Sequence, residues 1–205
     1  NTYIKSAIAG SFTKNELSVN LYDTNKNPTL INDMKGSNWN LSFNSFINRK
    51  FSSRHTNRTG VNVTRLAYDL DYNISPSVPN AHQPIENFAK SDGSTWLYSA
   101  FSNSTLRLTN ELTANIGVNA QYFALNKNYS IEPRVGLKWQ MQPKHSLGFS
   151  YGKHSRHERL DYYFVSKPGM GEDLPNKKLD FAKAHHLVLS YDWSINENTH
   201  LKIEP

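Results

Sequence analysis

The chain has 205 residues, a net charge of +6, a pI near 9.4 and no cysteine. Without cysteine there is no disulfide framework and no thiol chemistry, and the 23 lysines and arginines are scattered, without the clustered basic patch that marks a nucleic-acid binder. Mean hydropathy is −0.66 and no apolar run reaches about 18 residues, which excludes a transmembrane helix but not a membrane barrel, whose strands need an apolar residue only at every second position.

Residues 2–22 are extended in character, with Tyr3 to Phe12 followed by Leu17 to Tyr22. Thr13 to Glu16 serves either as a turn between two short strands or as part of one long strand. Asp23 to Gly36 carries Asp, Asn, Lys and Pro with little periodicity and predicts a loop. Trp39, Leu41, Phe43 and Ile47 then alternate with Asn40, Ser42, Asn44 and Asn48, which predicts a strand. Arg49 to Arg58 reads as a basic turn. In the next strand the apolar parity changes: Val61 and Val63 are odd, whereas Leu66, Tyr68, Leu70 and Tyr72 are even. Either a β-bulge near Thr64 or Arg65 restores one apolar face, or the two valines point inward.

Ile74 to Gly93 lacks periodicity and predicts a long loop, the kind that often carries function. Trp96, Tyr98, Ala100, Leu106 and Leu108 give a further strand with a weakly apolar middle at Ser102 to Ser104. Thr109 to Glu111 predicts a tight turn. The clearest alternation follows. Leu112, Ala114, Ile116, Val118, Ala120 and Tyr122 face one way; Thr113, Asn115, Gly117, Asn119 and Gln121 face the other. After a polar break at 126–129, Ile131, Val135, Leu137 and Trp139 oppose Glu132, Arg134, Lys138 and Gln140. A third run, Leu147, Phe149 and Tyr151, follows the turn at 142–145. Strict period-two alternation means strands with one apolar and one polar face, and each run has about the 9–11 residues that cross a bilayer. Beyond Tyr151 the pattern fades into His154-Ser155-Arg156-His157-Glu158-Arg159. Lys167 to Asp180 is a Gly/Pro/charge loop. Leu187 to Ile195 forms another alternating strand, 196–199 a turn, and Leu201 starts a last strand.

Short connections at 109–111, 142–145 and 196–199 alternate with long or charged ones at 23–36, 75–93 and 167–180; only the break at 126–129 is short on the long-loop side. A transmembrane barrel shows this asymmetry, with turns in the periplasm and loops outside. The expected fold is therefore all-β, an antiparallel transmembrane β-barrel segment of about eight or nine strands. Trp39, Trp96, Tyr98, Tyr122, Trp139, Tyr151, Tyr191 and Trp193 lie near the ends of apolar runs, as interfacial aromatic girdles do, although aromatics favour strands in any case.

The stretch 129–156, with Pro133-Arg134-Val135-Gly136-Leu137 before a short turn and Ser150-Tyr151-Gly152 leading to Arg156, resembles the barrel of TonB-dependent outer-membrane receptors of the Bacteroidota type. The run 106–118 resembles the preceding hairpin. The resemblance implies an outer-membrane location and energised uptake of a nutrient (a siderophore, cobalamin or a glycan). It also implies partnership with the TonB complex, a plug domain and outer-membrane lipid, with no nucleic-acid partner, no cofactor and no enzymatic activity. The 205 residues read as one partial barrel domain, 1–205, with no plug domain, cut from a longer protein. The alternative is a non-transport surface barrel or a β-sandwich that binds ligand.

Several side-chain groups are candidates for function. Glu132, Arg134, Lys138 and Gln140 form the polar row; lipid would not tolerate its charges, at roughly 2–4 kcal/mol for Arg or Lys near the midplane, so this side is expected to face the lumen. Given the family, the row would contact the plug, with salt bridges or hydrogen bonds from Arg134 and Lys138. His154, Arg156, His157 and Glu158 are candidates for an extracellular ligand rim, together with the loops at 75–93 and 167–180. His154 and His157 with His185 and His186 could be drawn as a metal site, but 154 and 157 differ in parity, and solvated rim residues are the expectation; no metal is assigned. Ser155 beside these histidines could be drawn as a nucleophile, but adjacent strand residues point opposite ways, and no catalytic residue is assigned. Asp69 and Asp71, beside Tyr68 and Tyr72, could hold a cation or sugar or simply be solvated.

Overall fold

The computed structural model describes residues 1–75, 86–166 and 174–204. Its strands are β1 (Thr2–Tyr22), β2 (Pro28–Lys50), β3 (His55–Ile74), β4 (Glu86–Arg107), β5 (Leu112–Phe123), β6 (Asn128–Gln142), β7 (His145–Arg156), β8 (Ala182–Asn196) and β9 (Thr199–Ile203). A four-residue helix, α1 (Leu160–Tyr163), and a 3-10 turn at Pro175–Lys178 lie between β7 and β8. All nine strands form one antiparallel sheet in sequence order, each paired with its chain neighbour, so every connection is a hairpin. The described strands thus make a single layer and not the two facing sheets of a sandwich. The sheet is open, with β1 and β9 at its edges.

Paired residues of an antiparallel ladder share a face, so the register assigns the faces across the whole sheet. From Ile47 through Thr59, Ser102, Val118 and Pro133 one row lies on one side. The row Tyr98–Tyr122–Tyr129 lies on the same side, as does Leu112–Trp139–Leu147–Tyr191. The alternating apolar residues of β5 to β8 fall on this face, and many are exposed: Ile116, Val118, Leu137, Phe149 and Leu189 are 39–53% accessible. Only lipid makes such a surface stable. All eight predicted girdle residues lie here too, in two belts. Phe12 packs on Trp39 at 4.4 Å and Tyr98 on Tyr122 at 6.3 Å in the upper belt; Trp139, Tyr191 and Trp193 form the lower one, with His145 stacked on Trp193 at 5.7 Å. From Tyr129 to Trp139 the strand advances roughly 33 Å at about 3.3 Å per residue, or about 25 Å along the membrane normal at a tilt of roughly 40°. That is the height of an outer-membrane apolar band.

The β2–β3, β4–β5, β6–β7 and β8–β9 connections join strand ends at one end of the sheet, and the β1–β2, β3–β4, β5–β6 and β7–β8 connections join strand ends at the other. The short set marks the periplasmic end.

Of the two readings left open for residues 2–22, the structure has the single continuous strand, with no turn at 13–16. Three sequence expectations need correction. The expected loop at 23–36 shrinks to a turn at 23–27, because β2 starts at Pro28; the Asp23 carboxylate closes this turn by accepting from the backbone N–H of Asn25 and Asn27, both at 2.8 Å. The expected loop at 74–93 loses residues 86–93 to β4, which starts at Glu86, while 76–85 lie outside the described residues. The basic turn expected at 49–58 is only 51–54. In each case a polar stretch without alternation is strand, held by its ladder to at least one neighbour. Backbone pairing satisfies it, and outside the apolar band, at either end of the sheet, no face needs to be apolar.

The parity change in β3 has a different cause from either expectation. The β2–β3 register runs without interruption through Val63↔Phe43, Thr64↔Ser42 and Arg65↔Leu41, so no bulge occurs there. Val61 and Val63 face lipid. Leu66, Tyr68, Leu70 and Tyr72 face the opposite, inner side and are buried, at 2–9% accessible. They are covered by residues of the β7–β8 connection: Leu160, Tyr163, Phe164 and Phe181 join Ala89 and Phe123 in one apolar cluster. The 167–180 loop expectation falls partly outside the described residues, at 167–173.

Candidate functional site on the inner face

The inner face of β5, β6 and β7 carries the predicted polar row. β5 supplies Asn119 and Gln121, paired with Glu132 and Ser130 of β6. The β6–β7 ladder ends at Arg134↔Gly152, so β7 beyond Gly152 has no backbone partner on that side. Side chains replace it. The Glu132 carboxylate accepts from the Ser155 backbone N–H at 3.1 Å and from the Ser155 hydroxyl. Gln121 Nε2 donates to the Ser155 carbonyl at 3.1 Å and also to Glu132. Asn119 Nδ2 donates to the same carboxylate at 3.1 Å and Arg134 Nη2 at 3.0 Å. Glu132 is 2% exposed and saturated with donors, the condition under which a buried carboxylate stays ionised.

Above this knot the connection from 157 folds over the inner face. His157 stacks on Phe123 at 4.9 Å and donates from Nδ1 to the Glu158 carbonyl at 2.6 Å. Tyr163 packs on Phe123 at 5.5 Å, and its hydroxyl accepts the Glu158 backbone N–H at 3.1 Å. Phe164 packs on Tyr68 at 4.8 Å. The Ser166 N–H donates to the Phe88 carbonyl at 2.7 Å beside an Ala89–Val165 bridge. Asn126 and Asn128 both donate to the Leu179 carbonyl, at 2.6 and 3.0 Å. Arg159 forms a two-point ion pair with the buried Asp161, at 3.1 and 2.6 Å, which raises the Arg159 pKa through the hydrogen bond and the charge. The connection is thus a roof with fixed supports on β4, β5 and the β5–β6 turn.

The predicted residues therefore divide. Glu132 bonds Ser155, next to the rim candidate His154, and Arg134 and His154 both lean over Gly152, where a Cβ would come within 3.0 Å of the His154 ring and 3.8 Å of Arg134 Cγ. Lys138 and Gln140 lie at the other end of the row, beside the 108–111 turn, and Gln140 Nε2 donates to the Gln142 carbonyl at 2.8 Å. Arg156 is exposed at the last β7–β8 pair, and Glu158 sits half-buried at the base of the roof. The four histidines do not converge. His154 meets His186 edge-on at 5.0 Å on the inner face, His185 bonds the Tyr151 hydroxyl at 2.8 Å on the outer face, and His157 is under the roof. Among the described residues no three His, Cys, Asp or Glu side chains are placed to hold a metal ion. Ser155 bonds Glu132 and no histidine. Asp71 accepts from Asn73 and Asn87 at 2.9 and 2.8 Å on the outer parity, opposite Tyr68 and Tyr72, so that group is split between faces. Phe123, Gln121 and Asn119 were not singled out from sequence. The period-two polar run Asn119, Gln121 opposite Glu132 was a usable signal; the end of the β6–β7 ladder was not.

A lipid-facing band bounded by two aromatic belts, turned inside-out to a polar, roofed inner face, defines the wall of an outer-membrane β-barrel. The chain belongs to the family described as TonB dependent receptor-like, beta-barrel, whose model matches residues 2–203. It is similar in fold to an FpvAI–pyocin S2 complex structure (TM-score 0.68, 12% identity, covering 99% of this chain and 29% of that one). A ferric enterobactin receptor, PfeA, from Pseudomonas aeruginosa gives a TM-score of 0.63 at 13% identity over 99% of this chain and 31% of that one. The copper transporter OprC gives 0.64 at 11% identity over 94% and 33%. The chain thus spans about a third of the length of these structures. No match was found among curated proteins.

Proposed function

We propose that this chain is barrel wall of a receptor that imports a nutrient through the outer membrane with energy delivered by the TonB complex, and that its inner face meets a plug domain. The roof built by residues 157–166 and 174–181 is the observation that supports this reading best. A barrel that only anchors a surface structure has no use for a loop folded inward and tied to the wall by aromatic packing and a saturated buried carboxylate. In this reading Glu132, Arg134, Lys138 and Gln140 face the plug. Glu132 spends its capacity within the wall, so Arg134 and Lys138 are the residues left to reach outward to it. His154, Arg156, His157 and Glu158 frame the ligand chamber, with His157 and Glu158 acting through the roof they hold. The ligand is a siderophore, cobalamin or a glycan; the solved neighbours, a ferric enterobactin receptor and a copper transporter among them, favour a metal-bearing cargo. The motifs 133–137 and 150–152 support a receptor of the Bacteroidota type.

The test is uptake by cells carrying the whole gene, with and without TonB, on iron–siderophore, cobalamin and oligosaccharide sources. Uptake of one class that vanishes without TonB is expected. Ligand binding at the cell surface with no TonB-dependent entry would instead make the protein a non-transport surface barrel.

A further inference from the structure

Among the described residues the apolar band carries a polar cluster at the periplasmic end of β2 to β4. On the lipid-facing side Asn57 Nδ2 donates to the Ser102 and Ser104 hydroxyls at 3.1 and 3.0 Å. Thr59 donates to Asn57 Oδ1 at 2.8 Å, and His55 Nε2 lies 3.2 Å from Ser104 Oγ. Arg49 pairs with Asn57 in the ladder and so stands on the same face, exposed, one step before the 51–54 turn. Its guanidinium lies 4.7 Å from the Phe51 ring, and none of the ion pairs among the described residues includes it. Ten residues separate it from the belt residue Trp39, about one band height, which puts it at the periplasmic interface. Immediately above the polar network the side chains become small. Ser45, Ala100 and Ala120 leave a depression of about 550 Å³ walled by Ile47, Val61 and Val118.

Polarity therefore falls with height along this column: a free cation at the interface, then hydroxyl, amide and imidazole groups, then an apolar hollow. Polar side chains facing hydrocarbon are costly and are kept where they have a task. The order is that of a glycerophospholipid standing in the periplasmic leaflet, with phosphate lowest, glycerol esters next and acyl chains above. We propose that the outer surface of β2 to β5 is a binding site for one phospholipid of the periplasmic leaflet, with Arg49 on the phosphate, the His55–Asn57–Ser104 group at the ester level and an acyl chain in the hollow at Ala100 and Ala120. Arg49 suits this role because a guanidinium binds phosphate in two-point fashion.

Native mass spectrometry of the whole receptor released from nanodiscs of phosphatidylethanolamine and phosphatidylglycerol tests the site. The expected result is one phospholipid retained per receptor through detergent washing. It is lost both in the Arg49→Gln/Asn57→Val variant and in the Ala100→Leu/Ala120→Leu variant, which fills the hollow and leaves the polar groups intact. A heat-modifiability gel verifies that each variant is folded. Equal lipid retention in either folded variant overturns the proposal, and so does a receptor dimer in place of bound lipid, which would make this face a contact between two copies.

Discussion

β3 contains both halves of the molecule in one strand. In its lower half the apolar residues Val61 and Val63 point out to lipid; in its upper half Leu66, Tyr68, Leu70 and Tyr72 point in. The backbone does nothing unusual between them. What changes is the location of the dry environment. Within the membrane, hydrocarbon lies outside the wall and the inner face is polar. Above the membrane, water lies outside, and the apolar side chains of β3 are buried under the roof formed by 157–166 and 174–181. A parity switch without a bulge is therefore the signature of a strand leaving the bilayer and entering a packed extracellular cap.

The largest expected effect comes from breaking the upper half alone. Phe123 is 1% exposed and touches both His157 and Tyr163. Phe123→Ala should cost about 3–5 kcal/mol of local stability, as deletion of a buried aromatic does. Hydrogen exchange should show this as loss of protection confined to 157–166 and 174–181, with the strands below still protected. Exchange that rises equally in β5 to β7 would mean that roof and wall are one cooperative unit.

The lower half is tested by one substitution on each face. Val118→Arg places a charge toward lipid and should destabilise the barrel by roughly 2–4 kcal/mol near the midplane, whereas Asn115→Arg, toward the lumen and outside the Glu132 network, should cost much less. Urea titration of barrels refolded into vesicles measures both. Equal costs would invert or abolish the assignment of faces.

Glu132 sits where the two halves join. Glu132→Ala strands the Ser155 N–H and the Asn119 and Gln121 amides, at about 1–3 kcal/mol for donors left buried without acceptors. Glu132→Gln keeps an acceptor and should recover part of that loss. The readout is protease nicking between β7 and β8, faster in the alanine variant than in the glutamine one.

How much of this was legible in the sequence follows from the same contrast. Where lipid sets the pattern, every second residue is constrained, and the strands from Leu112 to Tyr151, their faces and the periplasmic turns can be read directly. Where water lies on the outside, alternation is not required, so Pro28 to Gly36 and Glu86 to Gly93 looked like loops although both pair as strands. The polar row was legible as a row, but not that Glu132 turns sideways to cap Ser155, because that depends on where the β6–β7 ladder stops. The roof could not be foreseen at all: Tyr163, Phe164 and Phe181 have no periodicity, and their partners lie far away in the chain, with Phe164 on Tyr68 of β3 and Tyr163 on Phe123 of β5.

The smallest effect is expected at the β1–β2 turn, at the outer end of the strand extensions and away from both the roof and lipid. The Asp23 carboxyl is held below its ordinary value near 3.8, first by the backbone N–H of Asn27, then by the Asn27 side-chain amide and the Asn25 N–H. A carboxyl depressed in the folded state stabilises that state fully above its unfolded pKa and loses the contribution as pH falls through the folded one. The turn should therefore keep its geometry at neutral pH and open only below about pH 4. The amide resonances of Asn25 and Asn27 should move together in a single acid titration step, which Asp23→Asn removes. Because each strand extension is held by its own ladder, resonances of the roof should not follow that step; if they do, the turn and the cap are coupled, and the division drawn at β3 extends across the whole extracellular end.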